Sequence, residues 1–290
     1  MVVARRDRQR NSAVVEPEII AAGPPLTSLG GHCHFLGGEV DGEQAIKAAL
    51  KERSDRGVDV VKVMASGGVN TPGSDVLLTQ FTSDEMRLMV DLAHRAGLPI
   101  TAHAHGTPAV EQAVAVGVDG IEHCSCITEN GFNQASDELI TSLVGSGIVV
   151  CPTLGFDPVQ VGSAPAPLLV IAQQLGKTVL EVTRERGVFF ARLHGEGVAL
   201  ISGADPGINP AKRHGVLPYA VKELVTAGLG NDQALATATS SAADACRLGA
   251  AKGRIAVGKD ADLVHVDGDL RADIDLLLGA KSVWLRGDPV

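Results

Sequence analysis

Short β-branched runs alternating with amphipathic helices constrain this chain more than any other feature. A strand buried on both faces is covered only when helices return over each side of a parallel sheet. Val58-Asp-Val-Val-Lys-Val-Met64 is such a run. The helix before it, over 43–56, carries Ile46, Ala49 and Leu50 at helical spacing and ends at Gly57. After it, Thr82-Ser-Asp-Glu85 reads as a capping box ahead of Met86, Met89, Val90 and Ala93, and Gly97 and Pro99 stop that helix. The alternation continues with a strand at 98–104, a helix at 108–116, a strand ending at His123, a helix at 137–145 and a strand at 148–153. A long helical region over 166–195, a strand at 198–204 and helices at 215–227 and 232–247 complete it. With Glu18-Ile-Ile-Ala-Ala22 as a first strand, six strands are expected. Right-handed crossovers then predict an α/β fold built on a parallel sheet. From Gly253 to Val266 the pattern becomes alternating and turn-rich, which marks a small β appendage.

Composition excludes several function classes. The net charge of −9 and an aromatic content of 3% argue against a nucleic-acid groove, which needs basic residues and stacking rings. No apolar run approaches the ~18–20 residues that span a bilayer. The basic start, Met1-Val-Val-Ala-Arg-Arg-Asp-Arg, has no apolar signal core behind it. Five cysteines, an odd number in 290 residues, favour a reducing compartment over a disulfide framework. The expectation is a soluble cytoplasmic protein with a small-molecule partner, free or as a homo-oligomer.

The residues able to do chemistry share a position. Lys62, His103 with His105, His123 and Asp205 each fall at or near the C-terminal end of an expected strand. In a parallel barrel those ends converge on one mouth. Lys62 is the sharpest anomaly, because an ammonium on a strand with both faces buried is costly unless paired or neutralised. It either snorkels to the mouth or pairs with a carboxylate, or its nitrogen is modified or used in catalysis. His103 and His105, two apart, face one side of a strand, and imidazole is the commonest metal ligand. Asp205, ahead of Pro206-Gly207, is either a turn residue or a ligand and general base. Leu26-Thr-Ser-Leu-Gly-Gly precedes His32-Cys-His34 in place of an apolar strand. That puts the segment in a loop and favours substrate contact over ligation for His32. His214, soon after Asp205, is a further candidate for the substrate site.

Together, Lys62-Val-Met-Ala-Ser-Gly-Gly68 with Thr71-Pro-Gly73, Ala102-His-Ala-His-Gly106, Gly117-Val-Asp-Gly-Ile-Glu-His123 and Ser202-Gly-Ala-Asp205 resemble the metal-dependent amidohydrolase superfamily, nearest its imidazolonepropionase-like and Xaa-Pro dipeptidase-like members. Gly253-Arg-Ile-Ala-Val-Gly-Lys-Asp-Ala-Asp-Leu263 is similar to the family's return into a β-sandwich. The resemblance implies a (β/α)8 TIM-type barrel, incomplete and lacking its first strands, over 1–250, with a β-sandwich remnant over 251–290. It implies that Lys62 is carboxylated and bridges two divalent metals of the Zn2+ kind, that His103 and His123 bind one of them, and that Asp205 ligates the other and shuttles the proton. His105, His32 and His214 would face the substrate. The family's first barrel strand, ending in His-x-His, has no counterpart here, so this chain is expected to hold one metal or none, as a fragment of a longer enzyme or a degenerate relative.

The expected function is therefore metal-assisted hydrolysis of a C–N bond in an amide, cyclic amide or dipeptide. Two alternatives stay open: a catalytically impaired remnant or binding protein, and an α/β enzyme in which Lys62 forms a Schiff base with a carbonyl substrate.

Overall fold

The computed structural model describes residues 2–12, 14–160, 169, 172–173 and 176–290. The chain divides into two compact units, Met1–Asn11 with Glu18–Cys151, and Ser12–Pro17 with Pro152–Val290.

The first unit is built from α1 (Val2–Arg10), α2 (Gly42–Asp55), β1 (Val61–Met64), α3 (Ser83–Arg95), β2 (Ile100–Gly106), α4 (Thr107–Val116), β3 (Gly120–Ile127), α5 (Asp137–Ser146) and β4 (Val149–Cys151). Strands β1 to β4 lie side by side in sequence order, each parallel to the next. Their apolar side chains form the core with one face of each of α2 to α5. Val61, Val63, Ile100, Ala102, Ile121 and Val150 are inaccessible to solvent, as are Ile46, Met86 and Val110 on the helices. The capping box at Thr82 forms as expected: its hydroxyl accepts from the Glu85 amide, and the Glu85 carboxylate accepts from the Thr82 amide at 2.9 Å.

The expected strand at 18–22 does not form. Ala21 instead exchanges hydrogen bonds with Asp59, its amide donating to the carboxylate and its carbonyl accepting from the Asp59 amide, both at 2.8 Å. Arg6 of α1 completes this knot, donating to the same carboxylate at 2.6 Å. The partner of β1 on that side is Leu26, whose amide donates to the Lys62 carbonyl and whose carbonyl accepts from the Met64 amide.

The second unit contains α6 (Val179–Gly195), β5 (Ala199–Leu200), α7 (Leu217–Thr226), α8 (Asn231–Ala238), α9 (Ser240–Ala245), β6 (Leu263–His265), β7 (Ser282–Leu285) and β8 (Asp288–Pro289). Of the helical region expected over 166–195, residues 166–168, 170–171 and 174–175 lie outside the described residues, and residues 176–178 are not helical. The strand expected at 198–204 shortens to two residues. The helix expected at 232–247 breaks at Thr239, whose φ of −127° and ψ of −92° are not helical. Helix α6 opens on a second capping box, Thr178 with Glu181. It packs closely on α7 at Gly187, where a Cβ would stand 3.2 Å from that of Ala227. Strands β6, β7 and β8 form the expected appendage as an antiparallel sheet, pairing Leu263 with Trp284 and Trp284 with Pro289. No described helix is long and apolar enough to cross a membrane.

Candidate metal centre

Strands β2 and β3 deliver three imidazoles to one place. Ring nitrogens of His103, His105 and His123 lie within 4.8 Å of one another. The ring centroids are 4.7 Å apart for His103 and His105, 4.6 Å for His103 and His123, and 4.3 Å for His105 and His123.

The two strands achieve this differently. On β2, the two-residue period alone sets His103 and His105 on one face. On β3, the register pairs His123 with Ala104, a position that alternation points away from His103. The pairing then slips, so that Gly106 meets Ile127. Within that slip His123, Cys124 and Cys126 take φ values of 69°, 43° and 44°. These left-handed residues break the alternation and bring the His123 ring onto the face of His103. A bulge that re-aims a side chain is a common device beside functional sites.

Hydrogen bonds orient the rings. His103 Nε2 donates to the Gly67 carbonyl at 3.0 Å. A carbonyl only accepts, so this nitrogen carries the proton and Nδ1 keeps the lone pair of the neutral ring. His105 Nδ1 is 3.0 Å from Ser125 Oγ, and its amide donates to Ser66 Oγ at 3.0 Å.

His32 lies in a loop, as its sequence context predicts, and that loop folds back onto the histidine cluster. His32 is buried, its ring centroid lies 4.4 Å from that of His103, and its Nδ1 is 2.9 Å from Thr71 Oγ1. Gly68 makes the seat possible, because a Cβ there would stand 2.3 Å from the His32 ring. Gln80, which the sequence reading passed over, ties the segment to β1. Its amide nitrogen donates to the carbonyls of Met64 and Ser66, and its oxygen accepts from the His32 amide at 2.7 Å. Its only sequence signal is a polar residue directly before Phe81 and the capping box.

The environment keeps the His32 and His103 rings neutral. Burial first, then the Lys62 charge, lowers the His32 pKa to about 4. For His103, burial dominates and His105, His32 and Lys62 add to it, holding the pKa well below the usual imidazole value against the pull of the Gly67 carbonyl. Lys62 itself is half-buried on β1, in register with Thr101. Thr101 in turn donates to Glu122 Oε1 at 3.1 Å.

Asp205 and His214 belong to the second unit and share a loop there. Asp205 adopts a left-handed φ of 49°. Two residues on, a Cβ at Gly207 would stand 3.2 Å from His214 Nε2.

Three imidazoles with converging nitrogens, one of them fixed in its tautomer by a backbone carbonyl, are a fit donor set for a divalent ion such as Zn2+.

Comparison with known proteins identifies the family and the fold. The sequence profile of the amidohydrolase family matches residues 3–138 and 188–290. Ochratoxinase of Aspergillus niger is 24% identical over 164 residues, covering 48% of this chain and 34% of that protein. The match thus spans about a third of that relative's length. A crystal structure of an Xaa-Pro dipeptidase with methionine bound in its active site superposes with a TM-score of 0.82 at 24% identity, over 100% of this chain and 72% of that one. A prolidase complexed with N-methylphosphonate-L-proline gives 0.78 at 26% identity, over 99% and 72%. The fold is that of an incomplete TIM-type α/β barrel, and the chain belongs to the amidohydrolase family.

Proposed function

We propose that this chain is a metal-dependent hydrolase that cleaves a C–N bond in a small amide, cyclic amide or dipeptide-like substrate. The observation that carries the reading is the convergence of His103, His105 and His123, on a chain whose relatives include a prolidase and an ochratoxinase. His103 and His123 are the ligands taken over from the family pattern. Lys62, carboxylated, and Asp205 complete the set, and residues 251–290 correspond to the family's β-sandwich. A bound divalent ion would lower the pKa of water and polarise the substrate carbonyl. Carboxylation would turn the Lys62 ammonium, an unfavourable neighbour for a cation, into an anion that attracts one. Asp205 takes the proton from the attacking water and returns it to the leaving nitrogen. His105, His32 and His214 orient the substrate.

The test combines metal analysis with turnover on a panel of Xaa-Pro dipeptides and N-acyl amino acids. The expected result is hydrolysis by Zn2+-loaded protein and its loss in Asp205→Asn, with metal retained by His103 and His123. Lys62→Ala should lose metal and regain it when a short carboxylic acid is added. Full metal content and turnover in a His103→Ala/His123→Ala variant would overturn the reading. Metal retention without turnover on any substrate would favour a binding protein.

A further inference from the structure

Lys212 is the only buried lysine among the described residues, at 5% exposure. Its amine donates to the carbonyls of Thr153 at 2.5 Å, Ala204 at 2.8 Å and Leu154 at 3.4 Å, and lies 4.6 Å from the centroid of the Phe156 ring. Three carbonyl acceptors match the three N–H donors of an ammonium, and the ring face adds a cation–π contact. The Lys212 backbone belongs to the same brace. Its carbonyl accepts from the Gly207 amide at 2.6 Å, and its amide donates to the Asn209 carbonyl at 3.0 Å. The loop from Ala204 to Lys212 is thus closed on itself and pinned to the 153–157 segment. That pinning is repeated by the Asp157 amide on the Ala211 carbonyl and by Arg213 Nε on the Asp157 carboxylate, both at 2.8 Å. Glu223 holds the other side of the same segment, accepting from the amides of Gly155 and Phe156. Burial pushes the Glu223 carboxyl up, and these amides with the charges of Lys212 and Arg186 oppose the rise.

Building on the hydrolase reading, we infer that Lys212 is the positioning residue for Asp205. The Ala204 carbonyl lies in the same rigid peptide plane as the Asp205 amide. Fixing that oxygen fixes the plane that carries the Asp205 amide and Cα, and together with the φ of 49° this sets the direction in which the Asp205 side chain leaves the backbone. Asp205 needs such support, because an aspartate at a left-handed φ persists only where its surroundings impose it. A well-packed apolar side chain would serve stability at least as well as a buried charge, so the ammonium is explained by what it aims.

The experiment uses the full chain with Lys212→Met, which keeps the stem and removes the donors, and Lys212→Gln, which is shorter and neutral. Hydrogen exchange, metal content and steady-state kinetics are measured on each. In Lys212→Met, kcat is expected to fall about 100-fold, the cost of a misplaced catalytic group, with KM nearly unchanged and metal at His103 and His123 retained. Exchange at residues 205–212 is expected to accelerate at least about tenfold, while α6 and α7 keep their protection. Lys212→Gln should show the same pattern, and it decides the matter if Lys212→Met does not fold. Wild-type kcat in a folded variant, or faster exchange spread evenly over the second unit, would overturn the inference. If the wild type turns over nothing on the panel, the hydrolase reading fails by itself, and localised against uniform exchange still decides the role of Lys212.

Discussion

The two units bury ionisable side chains by opposite means. In the first, His32 and His103 are enclosed as neutral rings, their pKa values pushed down chiefly by burial. In the second, the Lys212 amine donates to backbone carbonyls and faces a ring. The first solution leaves lone pairs for a cation and makes the unit sensitive to acid. The second leaves nothing to donate or accept and serves geometry.

The largest effect that separates the two is acid destabilisation through His32. Its folded pKa of about 4 lies below the ordinary 6.5, so the unfolded chain takes up the proton first. Stability is complete above pH 6.5 and falls as pH drops toward 4, by about 3 kcal/mol from this residue. Urea titrations of wild type and His32→Gln between pH 7 and 4 should show a flatter profile in the variant. Identical slopes would mean that the folded protein protonates His32.

Next in size is the seat of His32. Gly68→Ala places a methyl group 2.3 Å from the ring and should cost about 2 kcal/mol. Gly145→Ala in α5, where no atom lies within 4 Å, should instead gain about 0.5 kcal/mol. Equal effects from the two substitutions would remove the argument that Gly68 makes room for the imidazole. A loss smaller than that of Gly68→Ala is expected in both units. Thr82→Ala and Thr178→Ala each remove a matching capping box and should each cost about 1 kcal/mol, read from thermal unfolding. A much larger loss from Thr178→Ala would show that the second unit leans on α6 more than the first does on α3.

What the sequence made legible follows from how each residue is held. His103 and His105 could be read because a two-residue period and a buried strand suffice to place them. The caps at Thr82 and the helix stop at Gly97 are local chemistry and were equally readable. His123 was placed at its strand's end, yet β3 runs on to Ile127, and the left-handed turn that aims its ring has no sequence signature among non-glycine residues. The loop of His32 is legible, but its seat against His103 is not, because Leu26 contributes one bridge to β1, too short a contact to show as an apolar run. The strand expected at 18–22 has the right composition, but the Asp59 carboxylate satisfies its backbone in place of a neighbouring strand. Lys212 was invisible for the same general reason, since its partners are carbonyls from residues 153 to 204 and carbonyls carry no residue identity.

The slipped end of β3 also governs how this part of the chain can diverge. Cys124 and Cys126 are sealed in the interior with positive φ, a combination that admits small residues tolerant of that backbone and excludes branched ones. Drift there is filtered by conformation before it is filtered by chemistry. The thiols can be exchanged for glycine with less backbone strain than for valine, their nearer match in hydrophobicity.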